Sequence, residues 1–123
     1  MDKVYRVART TDDGDALYYR YYKALAPAVN AVNKNTRIGA KSHIETAFAT
    51  PWRRIFSEAQ IPASEGTRGR YTDRWGTTER TGLKPLTAAQ AWRSGNAWKD
   101  NLEGVPFVEI RELTPWVKLE RNT

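Results

Sequence analysis

Residues 4–22 read VYRVARTTDDGDALYYRYY, and this stretch decides the fold class. Val4, Arg6 and Ala8 alternate with Tyr5, Val7 and Arg9, the period of two that marks a strand. Thr11-Asp12-Asp13-Gly14-Asp15 follows, a cluster of residues that tolerate left-handed backbone and close turns. Ala16 to Tyr22 is a second β-prone run, with Tyr19 and Tyr21 on one face and Tyr18 and Tyr22 on the other. Together they predict a β-hairpin that opens the chain.

Beyond the hairpin the middle of the chain reads as helical. Lys23 to Asn33 starts as a helix, although Pro27 disrupts the pattern and the tail NAVNKN (30–35) has the composition of a loop. Thr36 to Gly39 reads as a short strand. Ser42 with Glu45 three residues later forms a capping box, predicting a short helix through Ile44, Ala47 and Phe48. Thr50-Pro51 supplies an N-cap and a first-turn proline. The helix they open carries Trp52, Ile55, Phe56 and Ala59 on one buried face and leaves Arg53 and Arg54 outside it. A further capping box, Thr87 with Gln90, opens a helix to about Trp98, with Ala91 and Trp92 inward and Gly95 as an interruption. Val105 to Glu112 and Pro115 to Arg121 alternate as closing strands, joined through Leu113-Thr114-Pro115. This order predicts an α+β fold. Its antiparallel sheet is formed by the N- and C-terminal strands, with two to three short helices packed on one face. At 123 residues the chain reads as a single domain, 1–123.

Gly66 to Lys84 reads GTRGRYTDRWGTTERTGLK. It has no apolar period and predicts a long basic loop, a kind of segment that in compact domains tends to be functional or disordered. Its arginines flank Tyr71 and Trp75, a composition that suits an anionic or planar partner and matches interface hot spots. The same composition also fits a solvated loop with Trp75 tucked onto the domain. The candidate partner-binding residues are Arg53, Arg54, Arg68, Arg70, Tyr71, Arg74, Trp75, Arg80 and Lys84.

Charge supports that choice. The chain carries 20 basic and 14 acidic side chains, a net charge of +6, with Arg outnumbering Lys. Residues 1–50 hold 8 basic and 5 acidic groups, residues 51–84 hold 7 and 4, and residues 85–123 hold 5 and 5. The excess thus lies in the first two thirds. Guanidinium groups favour planar, bidentate contacts with phosphate and carboxylate.

Other chemistries lack their residues. With no cysteine there is no disulfide, thiol nucleophile or thiolate metal site. His43 is the lone histidine, placed by the expected capping box in a helix's first turn, where the dipole disfavours imidazolium. Asp12, Asp13 and Asp15 sit in a turn and do not match the EF-hand loop. Neither phosphate-binding glycine motif occurs. No RNP-type string accompanies the tyrosines of residues 18–22, so an RRM is not indicated. The reading is of a chain with no catalytic residues, no metal and no cofactor. No apolar run is long enough for a membrane span, and the N-terminus lacks a signal-peptide core, so a cytoplasmic protein is expected.

VYRVART (4–10), TRIGAKSHIETAF (36–48) and VEIRELTPWVKLE (108–120) together resemble small phage-encoded accessory proteins. In these a "YR" strand comes first, a Lys/Gly strand leads into a short helix, and an acidic-apolar strand closes the chain. The resemblance covers about a third of the sequence, rests on structural motifs, and transfers no active-site residue. The arginine-rich segment and the helix at Thr87–Trp98 depart from that pattern. What it implies is a viral origin and an accessory role, including inhibition of a host defence. Combined with the basic segment, the expected function is a non-enzymatic binding protein that docks nucleic acid or a host nucleoprotein complex. Two alternatives remain open: sequestration of a nucleotide-like ligand, and a protein–protein inhibitor or structural virion component.

Overall fold

The computed structural model describes residues 1–96 and 107–120. The fold is α+β, rich in antiparallel strands, and the chain divides into two compact units. One comprises Met1–Ala49 and Thr114–Thr123, the other Thr50–Leu113.

In the first unit, β1 (Asp2–Thr10) and β2 (Ala16–Tyr22) form the expected hairpin, with Gly14 at positive φ in the turn. Next comes α1 (Leu25–Arg37), longer than the sequence pattern suggested. Pro27 does not break it, because it sits in the first turn, where no backbone N–H is required. The asparagine-rich tail continues the helix through Arg37, and Thr36 to Gly39 end it instead of forming a strand. The amides of Gly39 and Ala40 donate to the carbonyls of Thr36 and Asn35, and Gly39 has φ +77°. That is the left-handed helix ending at which glycine is favoured.

The expected helix after Ser42 is instead strand β3 (Lys41–Ala49), which pairs along its full length with β1. Ile44 and Thr46 alternate with His43, Glu45 and Ala47, and Ser42 and Glu45, three residues apart, fall on opposite faces of the strand. β10 (Val117–Lys118) pairs with the other edge of β3, giving the order β10-β3-β1-β2. N- and C-terminal strands therefore share a sheet, though the first and last are not neighbours. Ala28, Val29 and Val32 of α1 pack on Tyr5, Val7, Tyr22 and Ile44.

The second unit corrects two more expectations. In place of a helix over Trp52–Ala59 are β4 (Arg53–Ile55) and a single 3₁₀ turn, Glu58–Gln60. Thr50 does not cap a helix; its Oγ1 accepts from the Glu112 amide, which fixes β4 beside β9 (Phe107–Glu112). In place of the long basic loop are two hairpins, β5 (Thr67–Asp73) with β6 (Gly76–Thr78), and β7 (Arg80–Thr81) with β8 (Lys84–Pro85). Thr67, Gly69 and Tyr71 alternate with Arg68, Arg70 and Thr72. A glycine at one inward position hides that period from a hydrophobicity reading. β9 thus leaves the terminal strands and lies inside a second sheet, β4-β9-β5-β6.

The Thr87/Gln90 capping box forms as expected, each side chain bonding the other residue's amide. It opens α2 (Ala88–Asn96). Ala97, Trp98, Val105, Pro106 and Arg121, the ends of the expected helix and strands, lie outside the described residues. α2 buries Ala88, Ala91 and Gly95 on the sheet, around Ile55, Leu86, Val108 and Ile110.

The approach is close because two glycines face it. A Cβ on Gly69 would stand 2.5 Å from Ala91 Cβ and 3.0 Å from Ala88 Cα; one on Gly95 would stand 2.5 Å from Val108 Cγ2. Gly95 is therefore an inward-facing helix residue, not an interruption. Gly69→Ala should lower stability by about 1–3 kcal/mol, the usual cost of overpacking, read from the urea midpoint. An unchanged midpoint would show that α2 does not press on β5 at this point.

Candidate functional site

Antiparallel pairing places directly opposed residues on the same face of a sheet. In β5 and β9, Arg68 opposes Arg111, Arg70 opposes Glu109, and Thr72 opposes Phe107. In β4, Arg54 also opposes Glu109. These side chains share the face opposite α2, since Gly69, Tyr71, Val108 and Ile110 occupy the helix face. Trp52 joins them, with the guanidinium of Arg70 at 4.3 Å and that of Arg111 at 4.4 Å from its ring centroid. Arg54 lies 4.9 Å from the Phe107 ring and 5.1 Å from that of Phe56.

Among the described residues, this face carries Arg54, Arg68, Arg70 and Arg111 with one carboxylate, Glu109, which accepts from Arg70 Nε at 2.9 Å. Each guanidinium on an aromatic ring contributes about 0.5–1 kcal/mol where exposed and more where water is excluded. Arg68 instead turns its guanidinium to the carbonyls of Glu65 and Thr67. Phe56 is 72% exposed.

The sequence-predicted residues divide accordingly. Arg54, Arg68 and Arg70 come together on the arginine face. Arg53 points to the other side of β4 and meets Glu112 at 3.5 Å, an exposed pair worth little. Tyr71 packs against the α2 core. Arg74 and Trp75 occupy the β5–β6 turn, where Asp73 Oδ1 accepts the Trp75 amide, the Arg74 guanidinium lies 4.1 Å from the indole, and Trp75 is 68% exposed. Arg80 and Lys84 are exposed on the β7–β8 hairpin. Sequence reading missed Trp52, Phe107, Glu109 and Arg111 as members of the face. The alternation of β9 marks the last three as outward, but their neighbours across the sheet are not readable from it.

The first unit holds a different arginine cluster. Arg6 Nε and Nη2 both reach Glu45 Oε1, at 2.7 and 2.6 Å. Its guanidinium lies 3.9 Å from the Tyr19 ring and 4.5 Å from that of Trp116. Glu45 Oε2 meets His43 Nε2 at 2.8 Å, so His43 is a strand residue beside a carboxylate, not a helix start. Burial pushes the Glu45 carboxyl up, but hydrogen bonds from His43 and Arg6 outweigh it and hold the group below the ordinary glutamate range. A cleft of about 720 Å³ beside this cluster is lined by Lys41, His43 and Lys118. It also meets Thr36 and Gly39 at the C-terminal end of α1. The carbonyl end of a helix disfavours an anion, and Lys41 already leans on Asp12 at 3.6 Å. The second unit's face is therefore the stronger candidate.

No family model matches the chain, and no curated protein or solved structure matches it either. Among the described residues, no helix is long and apolar enough to cross a membrane. None of their acidic or histidine side chains group in a way that could hold a metal ion.

Because the folded Glu45 carboxyl is held low, the stability it contributes is full above the unfolded value of about 4.3. It is lost as pH falls through the lower folded value. Urea midpoints of the native protein should therefore drop more steeply below about pH 5 than those of Glu45→Gln. Parallel curves would remove the carboxylate from the stability of this unit.

Proposed function

We propose that the chain is a non-enzymatic binding protein whose second unit docks an anionic macromolecule, the phosphate backbone of a nucleic acid, free or within a nucleoprotein. The observation that carries this reading is the face opposite α2. Among the described residues, Arg54, Arg68, Arg70 and Arg111 share it with one carboxylate, Glu109, interleaved with Trp52 and Phe107. Arg74 and Trp75 extend the same composition to the hairpin tip. Planar guanidiniums held in fixed positions bind phosphate oxygens in pairs with little ordering cost. The phage-accessory resemblance adds the context in which such a module would engage a host nucleoprotein complex.

Binding to a mixed pool of labelled single- and double-stranded oligonucleotides, followed by anisotropy at rising salt, tests the reading. Affinity should fall linearly on a log–log salt plot, as counterion release requires. Arg54→Gln with Arg74→Gln should weaken binding about tenfold and flatten the slope by about two. Both side chains are exposed, so the melting temperature should not move. A salt-independent association would instead indicate apolar docking to a protein.

A further inference from the structure

Resting on that reading, we infer that the ligand of the arginine face is a single-stranded nucleic acid whose bases stack on the face. The guanidiniums of Arg54, Arg70 and Arg111 do not project as forks; each lies against an aromatic ring. Groups left exposed on and beside this face, Phe56 and Arg54 at its edge and Trp75 and Arg74 at the hairpin tip, are the ones a base and its phosphate would meet. Duplex phosphates are reached by side chains that extend outward or by an element entering a groove. Splayed bases stack on aromatic and guanidinium planes of the kind displayed here.

Charge across the face points the same way. Glu109 sits centrally, opposed by Arg70 on one side and Arg54 on the other. The Arg70–Glu109 pair already satisfies charge at the centre, so an uncharged base fits there. Phosphates are directed to the rim, to Arg54 on edge strand β4 and Arg74 at the hairpin tip. Alternate residues along β9 stand roughly 6.6 Å apart, so Phe107, Glu109 and Arg111 offer successive positions to an extended chain. Phe56 and Trp75 leave large apolar areas exposed, where stacking would give them a use.

The polar side chains suited to reading base edges bond one another instead. Thr72 and Thr77 bond each other at 2.9 Å, and Glu109 holds Arg70. Recognition should therefore tolerate most sequences, as stacking-based binding does.

The test compares a labelled oligothymidylate of about ten nucleotides, within the usual site size, with a duplex of equal length and with heparin. Expected are single-strand binding at least tenfold tighter than duplex binding, and quenching of tryptophan fluorescence on titration. Phe56→Ala and Trp75→Ala should each weaken oligothymidylate binding by about fivefold or more. Their heparin retention and melting temperatures should stay unchanged, since both rings are exposed. Equal or tighter duplex binding, or full oligothymidylate affinity in both aromatic variants, would overturn the single-strand inference and leave the polyanion reading standing. Heparin retention with no nucleic-acid binding would overturn it in favour of an acidic protein partner. Loss of all three interactions at low salt would overturn both.

Discussion

The distance at which α2 lies on β5 and β9 governs the second unit. The helix contributes small residues, Ala88, Ala91 and Gly95, to the contact, and the sheet meets them with Gly69. Little side-chain volume separates the two backbones. The apolar core beneath is accordingly thin, built from Ile55, Leu86, Val108 and Ile110 with Tyr71 and Trp92 at its margin. A sheet whose aliphatic residues are drawn to the helix side leaves its alternate positions to other chemistry. On β5 and β9 those positions are arginine, threonine, glutamate and phenylalanine. The arginine face is thus the complement of the helix contact, produced by the same period of two.

The two units use one device to opposite ends. Each sheet has a helix on one face and guanidinium-on-ring contacts on the other. In the first unit, Arg6 is bidentate to Glu45 and covered by Tyr19 and Trp116, with side-chain exposure of only 16% on both partners of the ion pair. Its charge is matched, and removing either partner would strand the other, which is strongly unfavourable for buried groups. In the second unit the described residues of the face are four arginines, Arg54, Arg68, Arg70 and Arg111, and one carboxylate, Glu109.

The first hairpin, the Thr87/Gln90 cap and the alternation of β9 were legible because each is a local pattern: a period of two or a capping pair. The errors arose where one local pattern imitates another. Ser42-x-x-Glu45 has the spacing of a capping box, yet β1 and β10 claim its residues for pairing, and tertiary pairing outweighs a cap worth about 1 kcal/mol. The segment 66–84 looked structureless because the inward positions of β5 are Thr67, Gly69 and Tyr71. Only the helix that needs Gly69 explains them, and that helix begins some twenty residues later. The candidate site was half visible. Arg54, Arg68 and Arg70 stood out by composition, whereas Trp52 and Arg111 belong to it only through register across three strands.

The path of the chain gives a further meaning to two pairs of hydrogen bonds, one within each unit. The second unit is an insertion between β3 and β10, and its ends are tied together where Thr50 and Glu112 exchange two hydrogen bonds of 3.0 Å. Just outside them, Phe48 and Thr114 do the same, at 2.8 and 2.9 Å. During synthesis, β1, β2, α1 and β3 emerge long before the strand that completes their sheet. Closing so long an intervening segment as a flexible loop would carry an entropic cost that rises with its length. Once the inserted unit has folded, that cost has already been met, because its clasped ends deliver Thr114 to Phe48. Chain order alone makes β10 the last strand of its sheet to be synthesised.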